Sequence, residues 1–307
     1  MSSIALRSPA TIANLSCGFD VLGVCIKEPF DEIIITKNTN KNVKIKIQES
    51  PFSNIPSDPK LNTGGIPAEL IIKDFNLDFG FNINIKKGIP LCGGLGSSAA
   101  TAAGVVYGIN ELLNKKMSFN TMIKYALEGE KLSSNSPHAD NIGPCLSGGL
   151  VLIRDTKSLD IINIPTKELF FAIVHPDVKV DTKTARKILP NKVNLSDAIN
   201  QWGNIAALTY GFYSNDIDLI RRSMRDYIIE PVRSKLIPGY HDVKSIAIEN
   251  GAIGCSISGS GPSIFALCKT EDISKKVVSK MKNVLDDLSI NYHSYISPIN
   301  NQGIEVL

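Results

Sequence analysis

Two hydrophobic rhythms run through the chain. Val43-Lys-Ile-Lys-Ile-Gln48 and Phe81-Asn-Ile-Asn-Ile-Lys86 alternate apolar and polar residues strictly. That is the period of strands that bury one face, and it predicts a mainly antiparallel sheet. Residues 4–7, Val21 to Ile26 and Asp31 to Thr36 read as further strands, and Asn62 to Phe75 as a helix opened by the Gly64-Gly65-Ile-Pro67 turn. The helix expected from Ala99 to Leu113 carries Ala99, Ala100, Ala102, Ala103, Gly104 and Gly108, residues small enough for neighbouring backbone to come close, so it is expected at the centre of the fold. Ser118 to Ser134 starts on a capping residue and sets Ile123, Ala126, Leu127 and Glu130 at i, i+3, i+4 and i+7. Glu130 therefore falls on an apolar face. A carboxylate there needs a cation or hydrogen-bond donors, and a buried salt bridge and a metal fit that pattern equally.

Ser136-Pro-His-Ala-Asp-Asn-Ile-Gly-Pro-Cys-Leu-Ser-Gly-Gly149 reads as a turn that packs His138, Asp140 and Asn141 between prolines and glycines. A strand follows over Gly149 to Arg154, and Thr156 to Pro165 looks like a boundary, which ends a first domain near residue 155. The second half opens on Leu169-Phe-Phe-Ala-Ile-Val-His-Pro176, a continuous apolar run typical of a buried strand, with His175 in a structural role. A short helix is expected over Asp181 to Pro190, and two further helices over Leu195 to Asn215 and Asp216 to Tyr227. After Pro231-Val-Arg233, a helix (His241 to Asn250), two strands (Ala252 to Ser258, Ser263 to Lys269), a helix (Ile273 to Leu288) and a last strand (Tyr292 to Ile296) follow. Helix, strand, strand, helix, strand is the order of a split βαβ, or ferredoxin-like, sandwich.

Composition narrows the function classes. A chain of 307 residues can hold a sizeable core and two domains of ordinary size. Its formal net charge of +3 is nearly neutral for that length and points to neither nucleic acid nor an anionic membrane. The cysteines (Cys17, Cys25, Cys92, Cys145, Cys255, Cys268) stand singly, with no CxxC pair or Cys/His cluster, and read as reduced, mostly buried thiols. Neither a basic-then-apolar leader nor a long apolar run occurs, so a soluble, cytoplasmic protein is expected.

The candidate chemistry centres on Ile89-Pro-Leu-Cys-Gly-Gly-Leu-Gly-Ser-Ser-Ala-Ala-Thr101, which leads into the alanine-rich helix. Gly93, Gly94 and Gly96 permit a tight turn with exposed N–H groups, Ser97 and Ser98 add hydroxyls, and a helix N-terminus favours an anion. The arrangement reads as a phosphate cradle, or as a glycine-rich turn before a tightly packed helix. Gly94-Leu-Gly-Ser-Ser-Ala99 fits the spacing of a dinucleotide loop, but the next carboxylate, Glu111, comes too early and lies in the same helix. No Lys-Ser or Lys-Thr closes the loop, so the Walker pattern fails as well. Upstream, Pro9-Ala-Thr-Ile-Ala-Asn-Leu-Ser-Cys-Gly-Phe-Asp20 sets Asn14 and Asp20 among small and apolar residues, where a polar group must be satisfied or used. Ser256-Ile-Ser-Gly-Ser-Gly-Pro-Ser263 is a second glycine-serine loop that, alone, reads as a hairpin turn or bulge.

Together, the stretches Pro9 to Asp20, Pro90 to Ala100 and Ser258-Gly-Ser-Gly-Pro-Ser263 resemble, in order and spacing, motifs one, two and three of the GHMP kinases, a superfamily of small-molecule kinases. Within it, His138-Ala-Asp-Asn-Ile142, Thr182-Lys-Thr-Ala-Arg186-Lys-Ile-Leu-Pro190 and Glu230-Pro-Val-Arg233 are similar to the members that phosphorylate L-homoserine. Cys92 departs from the pattern at a position where relatives often carry Gly or Ser. The resemblance implies an α+β, two-domain GHMP kinase fold. Residues 1–155 would form a ribosomal protein S5 domain 2-like, ATP-binding N-terminal domain, and residues 156–307 a ferredoxin-like C-terminal domain, with ATP and an amino alcohol bound between them.

The resemblance also implies roles. Ser98 and Glu130 would hold Mg²⁺, and Pro90, Leu91, Cys92, Gly93, Gly94, Leu95, Gly96, Ser97, Ser98, Ala99 and Ala100 would form the nucleotide-binding stretch, with Asn62 near the nucleoside. An amino-acid zwitterion needs anions for its ammonium and guanidinium forks for its carboxylate. Asp20 and Asp140 match the family's ammonium partners, and Arg186 and Arg233 its carboxylate clamp. Thr182 and His138 would line the pocket, and Asn14 would lie close to the attacking hydroxyl. Asn141 stands where mevalonate-type relatives place an Asp base; an amide cannot take that proton, which implies transfer without a strong protein base. A homodimer is the expected assembly. A kinase of another alcohol would share the three motifs but leave Arg186 with Arg233 unexplained. A catalytically silent ligand sensor would leave Ser98, Glu130 and the intact loop unexplained.

Overall fold

A computed structural model of the chain describes residues 1–48, 50–52, 55–132 and 139–307. The first half runs through β1 (Ser3–Ala13), β2 (Leu22–Asn38), β3 (Val43–Ile47), α1 (Gly65–Asp74), β4 (Gly80–Lys86), α2 (Ser97–Leu112), α3 (Phe119–Glu130), α4 (Ala139–Ser147), β5 (Leu150–Asp155) and β6 (Asp160–Ile164). The second continues with β7 (Phe170–Pro176), α5 (Thr182–Lys187), α6 (Leu195–Ser214), α7 (Ile217–Ser223), α8 (Glu230–Arg233), α9 (Tyr240–Glu249), β8 (Gly254–Ile257), β9 (Ile264–Cys268), α10 (Glu271–Asp287), β10 (Tyr292–Pro298) and β11 (Glu305–Val306).

The alternating strands do what their period requires. In β4, Phe81, Ile83 and Ile85 are fully buried while Asn82 and Asn84 are half-buried. β4 pairs antiparallel with β2 and parallel with β3. The first sheet has the order β11-β1-β2-β4-β3, with β5 paired to the start of β2 and β6 to β5. The two strands expected over Val21 to Ile26 and Asp31 to Thr36 are one strand, β2. Its apolar pattern breaks at exposed Lys27 and Glu28 because the strand changes neighbours there, from β5 before the break to β4 after it. The register with β1 shifts at the same level, between Pro9 and Thr11.

Helix α2 crosses this sheet and is buried along nearly its whole length. A Cβ on Gly104 would sit 2.6 Å from Ile33 Cδ1, and one on Gly108 2.7 Å from Ile35 Cδ1, so the small residues bring the helix backbone onto β2. α3 begins where its cap predicts: Ser118 Oγ accepts the Thr121 amide at 3.2 Å.

The second sheet has the order β10-β7-β9-β8, all antiparallel. That is the strand order of a ferredoxin-like sandwich. Ala172 and Val174 of β7 face α9 and α10, in a cluster with Val243, Val277 and Met281. The alternate residues Phe171 and Ile173 join the larger core that contains the first sheet. A strand buried on both faces explains the unbroken apolar run. Besides the merged β2, further elements differ from the sequence reading, among them β1, which continues past residue 7 to Ala13. The turn expected around residues 139–147 is α4, and the boundary expected over 156–165 carries β6, which pairs with β5. Pro144 lies inside α4, so the glycines and prolines that suggest a turn also fit a helix in close contact: Gly23 of β2 approaches so near that a Cβ there would meet the Asp140 carbonyl. Among the described residues no helix is long and apolar enough to cross a membrane.

Candidate active site

The loop before α2 is shaped by two positions that exclude a side chain. Gly94 has φ +77° and a Cβ there would lie 2.2 Å from the Ser258 carbonyl oxygen. Gly96, the N-cap of α2, has φ +67° and its Cβ would lie 2.2 Å from Thr11 Oγ1. The first amides of a helix have no acceptor within it, and no acidic residue occupies the first turn of α2. The loop and helix head therefore form an electropositive backbone surface suited to phosphate oxygens.

Hydrogen bonds from the other two glycine-rich stretches hold this surface. The Thr11 amide donates to the Leu95 carbonyl at 3.2 Å and the Ser263 amide to the Gly93 carbonyl at 3.2 Å. Ser258 Oγ donates to the Gly94 carbonyl at 2.6 Å, and the Gly259 amide donates to the Ala13 carbonyl at 3.2 Å. Ser258 to Ser263 is thus a brace behind the loop. His175 stands beside it, 3.1 Å from Ser263 Oγ and against Gly93. Burial lowers its pKa to about 4, so the ring is neutral and its role is packing, as the sequence suggests.

Beneath the loop lies a buried ion pair, Lys87 with Asp31. Lys87 Nζ also donates to the Ser97 carbonyl at 2.8 Å and to Thr101 Oγ1 at 2.9 Å. Asp31 accepts the amides of Gly88 and Ile89 at 3.0 and 3.2 Å. Burial pushes its carboxyl up, and the Lys87 charge and these donors counter that push. The pair fastens the first turn of α2 to the middle of β2 and the end of β4.

Above the loop is a cavity of about 320 Å³. Its floor includes Leu91, Cys92, Gly93, Gly94, Gly96, Ser97 and Ser98, with Glu130 from the end of α3 and Asn62 beside it. The same cavity is lined by Asn14, Asp20, Asp140, Asn141, Thr182, Arg186 and Arg233. The expected residues therefore converge, with clear exceptions. Leu95, Ala99 and Ala100 are in the core, and Pro90 is buried beneath the loop; none of the four lines the cavity. His138 lies outside the described residues. Asn62 is occupied as a loop brace, donating to the Pro56 carbonyl at 2.7 Å and accepting the Gly64 amide at 2.9 Å. Cys92 is the exposed cysteine, at φ +52°, whereas the other cysteines are buried.

Charges of both signs face each other across the wall. Arg186 donates to both oxygens of Asp20, at 3.3 and 2.5 Å. Arg233, buried, donates to the carbonyls of Ala185 at 3.3 Å and Gly259 at 2.7 Å. Both guanidinium groups lie over the Phe19 ring, 5.4 and 5.0 Å from its centre. Burial lowers the Arg233 pKa to about 10, with Asp20 opposing that shift. Asp140, fully buried at the head of α4, is pushed up to about 7 by burial and then by Asp20. Asn14, at φ +71°, donates to the Gly259 carbonyl at 2.9 Å and accepts the Asp20 amide at 3.2 Å. Asn141 Oδ1 accepts from Thr11 Oγ1 at 2.8 Å.

The sequence reading missed Thr11, Phe19, Asp31 and Lys87. For the last two a signal existed: Asp31 shares the parity of buried Ile33 and Ile35, and Lys87 that of buried Phe81, Ile83 and Ile85. Opposite charges on the buried faces of neighbouring strands predict a pair.

With this geometry in place, comparison with known proteins gives the class. The GHMP kinases N terminal domain matches residues 67–149 and the GHMP kinases C terminal domain residues 208–287. The chain belongs to the GHMP kinases and is a small-molecule kinase. A homoserine kinase of Chlorobium phaeobacteroides (strain BS1) is 39% identical over 320 aligned residues, covering 100% of both chains. The crystal structure of a homoserine kinase from Cytophaga hutchinsonii is 44% identical, covers 100% of this chain and 98% of that one, and superposes with a TM-score of 0.95. A Leishmania relative at 14% identity, L. major mevalonate kinase crystallised with R-mevalonate, shares the fold alone, with a TM-score of 0.75 over 95% of this chain and 94% of that one.

The buried pair yields a stability test. Lys87→Met leaves the Asp31 carboxylate uncompensated, and denaturant unfolding should show a loss of about 3–5 kcal/mol. Adding Asp31→Asn should restore most of it; a single variant as stable as the parent would show that the pair does not fasten the loop.

Proposed function

We propose that this kinase transfers the γ-phosphoryl group of ATP to the side-chain hydroxyl of L-homoserine, giving ADP and O-phospho-L-homoserine, a step of threonine biosynthesis. The observation that carries the reading is the Asp20–Arg186 pair on the cavity wall. Here the two groups satisfy each other. A zwitterion can take both places at once, its carboxylate on the Arg186 fork and its ammonium on Asp20, so no charge is left alone when the pair opens. Arg233 adds a second fork and Asp140 a second anion. Mevalonate has a carboxylate but no ammonium, and would leave Asp20 without a cation once Arg186 turned to the ligand.

The division into residues 1–155, which bind the nucleotide, and 156–307, which bring Thr182, Arg186 and Arg233, belongs to this proposal, as do a cytoplasmic location and a homodimeric assembly. The loop amides and the head of α2 hold the phosphates, Asn62 stands near the nucleoside, and Thr182 lines the substrate end of the pocket. Ser98 and Glu130 offer a hydroxyl and a carboxylate to the same cavity. Hard oxygen donors, few in number beside phosphate oxygens and water, suit Mg²⁺. When bound there, the ion would neutralise charge on the phosphates. Asn14 orients the hydroxyl that attacks phosphorus; the new O–P bond forms as the bond to ADP breaks. Asn141, held by Thr11, positions and cannot deprotonate, so the proton leaves late, to a phosphoryl oxygen or to water. Backbone donors aimed at the phosphates supply the stabilisation without rearranging.

Three measurements test the assignment. Arg186→Ala removes a charged fork worth about 1.5–3 kcal/mol, so the KM for L-homoserine should rise roughly 10- to 150-fold with KM for ATP nearly unchanged. An unchanged homoserine KM would take Arg186 out of the site. Glu130→Gln should raise the Mg²⁺ concentration needed for half-maximal turnover, and full activity at low Mg²⁺ would return Glu130 to a purely structural role.

The third concerns pH. The Asp140 pKa in the free enzyme is raised to about 7, so acid protonates it and weakens its hold on an ammonium. The KM for L-homoserine should fall as pH rises from about 6 and level off by about 8, and Asp140→Asn should abolish that slope. A parent profile that is flat across this interval would contradict the ammonium role.

A further inference from the structure

Helix α6 has two faces of different character. One is built into the fold: Ala198, Gln201, Leu208, Gly211 and Phe212 are buried. The other faces solvent and is nonetheless apolar and aromatic. Leu195 is 68% exposed, Ile199 54%, Trp202 61%, Tyr210 61% and Tyr213 67%. Their spacing of four, three, eight and three residues is that of one stripe along a helix. Over its 20 residues the helix carries a single charged side chain, Asp197. A solvated helix face ordinarily carries charges. Depletion of charge with enrichment in Trp and Tyr is the composition of an interface centre.

The stripe is also shaped for itself. Its large side chains stand toward the two ends, and its middle is small, with Gly203 and Ala206 on the open side. A Cβ placed on Gly203 would meet nothing within 4 Å. If two such helices cross antiparallel about the middle, Ile199 of each copy faces Tyr210 of the other, and each Trp202 covers the small centre of its neighbour. The near absence of charge means that like groups do not repel across the axis. The five large residues expose on the order of 700 Å². Two copies would then bury about 1,400 Å², within the range of roughly 1,200–2,000 Å² of stable specific interfaces.

We propose that the exposed face of α6 is the surface on which this chain pairs with a second copy of itself, around a twofold axis near Gly203 and Asn204. A twofold contact uses the same patch on both partners, which is what a stripe complementary to its own reverse provides. The inference rests on the homodimer proposed above and not on the substrate assignment. None of the stripe residues lines the catalytic cavity, so assembly and chemistry can be tested separately.

Trp202 is the chain's one tryptophan, which makes its fluorescence a direct report of this surface. In sedimentation of the full chain, the mass should be twice 33.3 kDa. On dilution to the monomer, Trp202 emission should move to longer wavelength and acrylamide quenching should increase. The double variant Ile199→Glu/Tyr210→Glu sets like charges against each other across the axis and keeps Trp202. It should sediment as a monomer with solvent-exposed Trp202 emission and unchanged turnover per chain. A parent that is monomeric at its highest attainable concentration overturns both the surface and the homodimer. A dimer that survives the double substitution overturns the surface and leaves the homodimer standing on another face. Should the variant fail to fold, the parent decides alone: Trp202 emission and quenching that stay constant through dissociation overturn the proposal.

Discussion

Backbone donors can hold phosphate only if nothing else fills the space in front of them, and this requirement organises the molecule. The loop ahead of α2 reaches its shape through left-handed glycines, and their neighbours are not solvent but protein atoms, backbone at Gly94 and side chains at Gly96. The Ser258 carbonyl stands where a Gly94 side chain would be, and Thr11 where a Gly96 side chain would be. Each segment makes sense only with the others in place. The Pro9 to Asp20 stretch leaves β1 beside the loop, the Ser258 to Ser263 turn leaves β8 behind it, and hydrogen bonds to Gly93, Gly94 and Leu95 join them. A turn that looks like an ordinary hairpin is therefore the fixed wall against which a phosphate surface is cast.

Rigidity at that surface is supplied from below, by a pair of charges in a setting where charges are costly. Lys87 and Asp31 are both nearly inaccessible to water. Between them they accept or donate to the Ser97 carbonyl, Thr101 and the amides of Gly88 and Ile89. An apolar pair could fill the same volume with less desolvation, but it could not hold a helix end by its carbonyl. The wall proposed to take the zwitterion works differently. Asp140 sits in a position that raises its own pKa to about 7, and Arg233 is buried and has its pKa lowered to about 10. There burial sets the charges of side chains that line the cavity, whereas the loop is held by its own frame.

Much of this was legible in the sequence because period and turn chemistry are local properties. The alternation of Val43 to Gln48 and Phe81 to Lys86, the cap at Ser118 and the small residues of the central helix all report their own environment, and the structure places them accordingly. Glu130, at an apolar helix position, is buried at the cavity edge as its spacing requires. What could not be read is what depends on partners distant in sequence. α4 reads as a turn because Gly143 and Pro144 answer to packing against β5, β6 and Gly23 of β2 and not to local bending. β6 is a short, half-exposed strand that, among the described residues, pairs with β5 alone, and it leaves almost no pattern. The nucleotide stretch read from Pro90 to Ala100 mixes two populations, loop residues that face the cavity and Leu95, Ala99 and Ala100, which anchor it in the core. Proximity in sequence cannot separate them.

The distribution of thiols has a practical consequence. Cys17, Cys25, Cys145, Cys255 and Cys268 are enclosed, and burial raises the pKa of each, which suppresses the nucleophilic thiolate. Cys92 alone meets solvent, and it does so on the rim of the cavity. An electrophilic dye applied to the folded protein thus has one address available to it. A spectroscopic reporter could be anchored at the mouth of this cavity in the natural chain, without engineering away a single competing thiol.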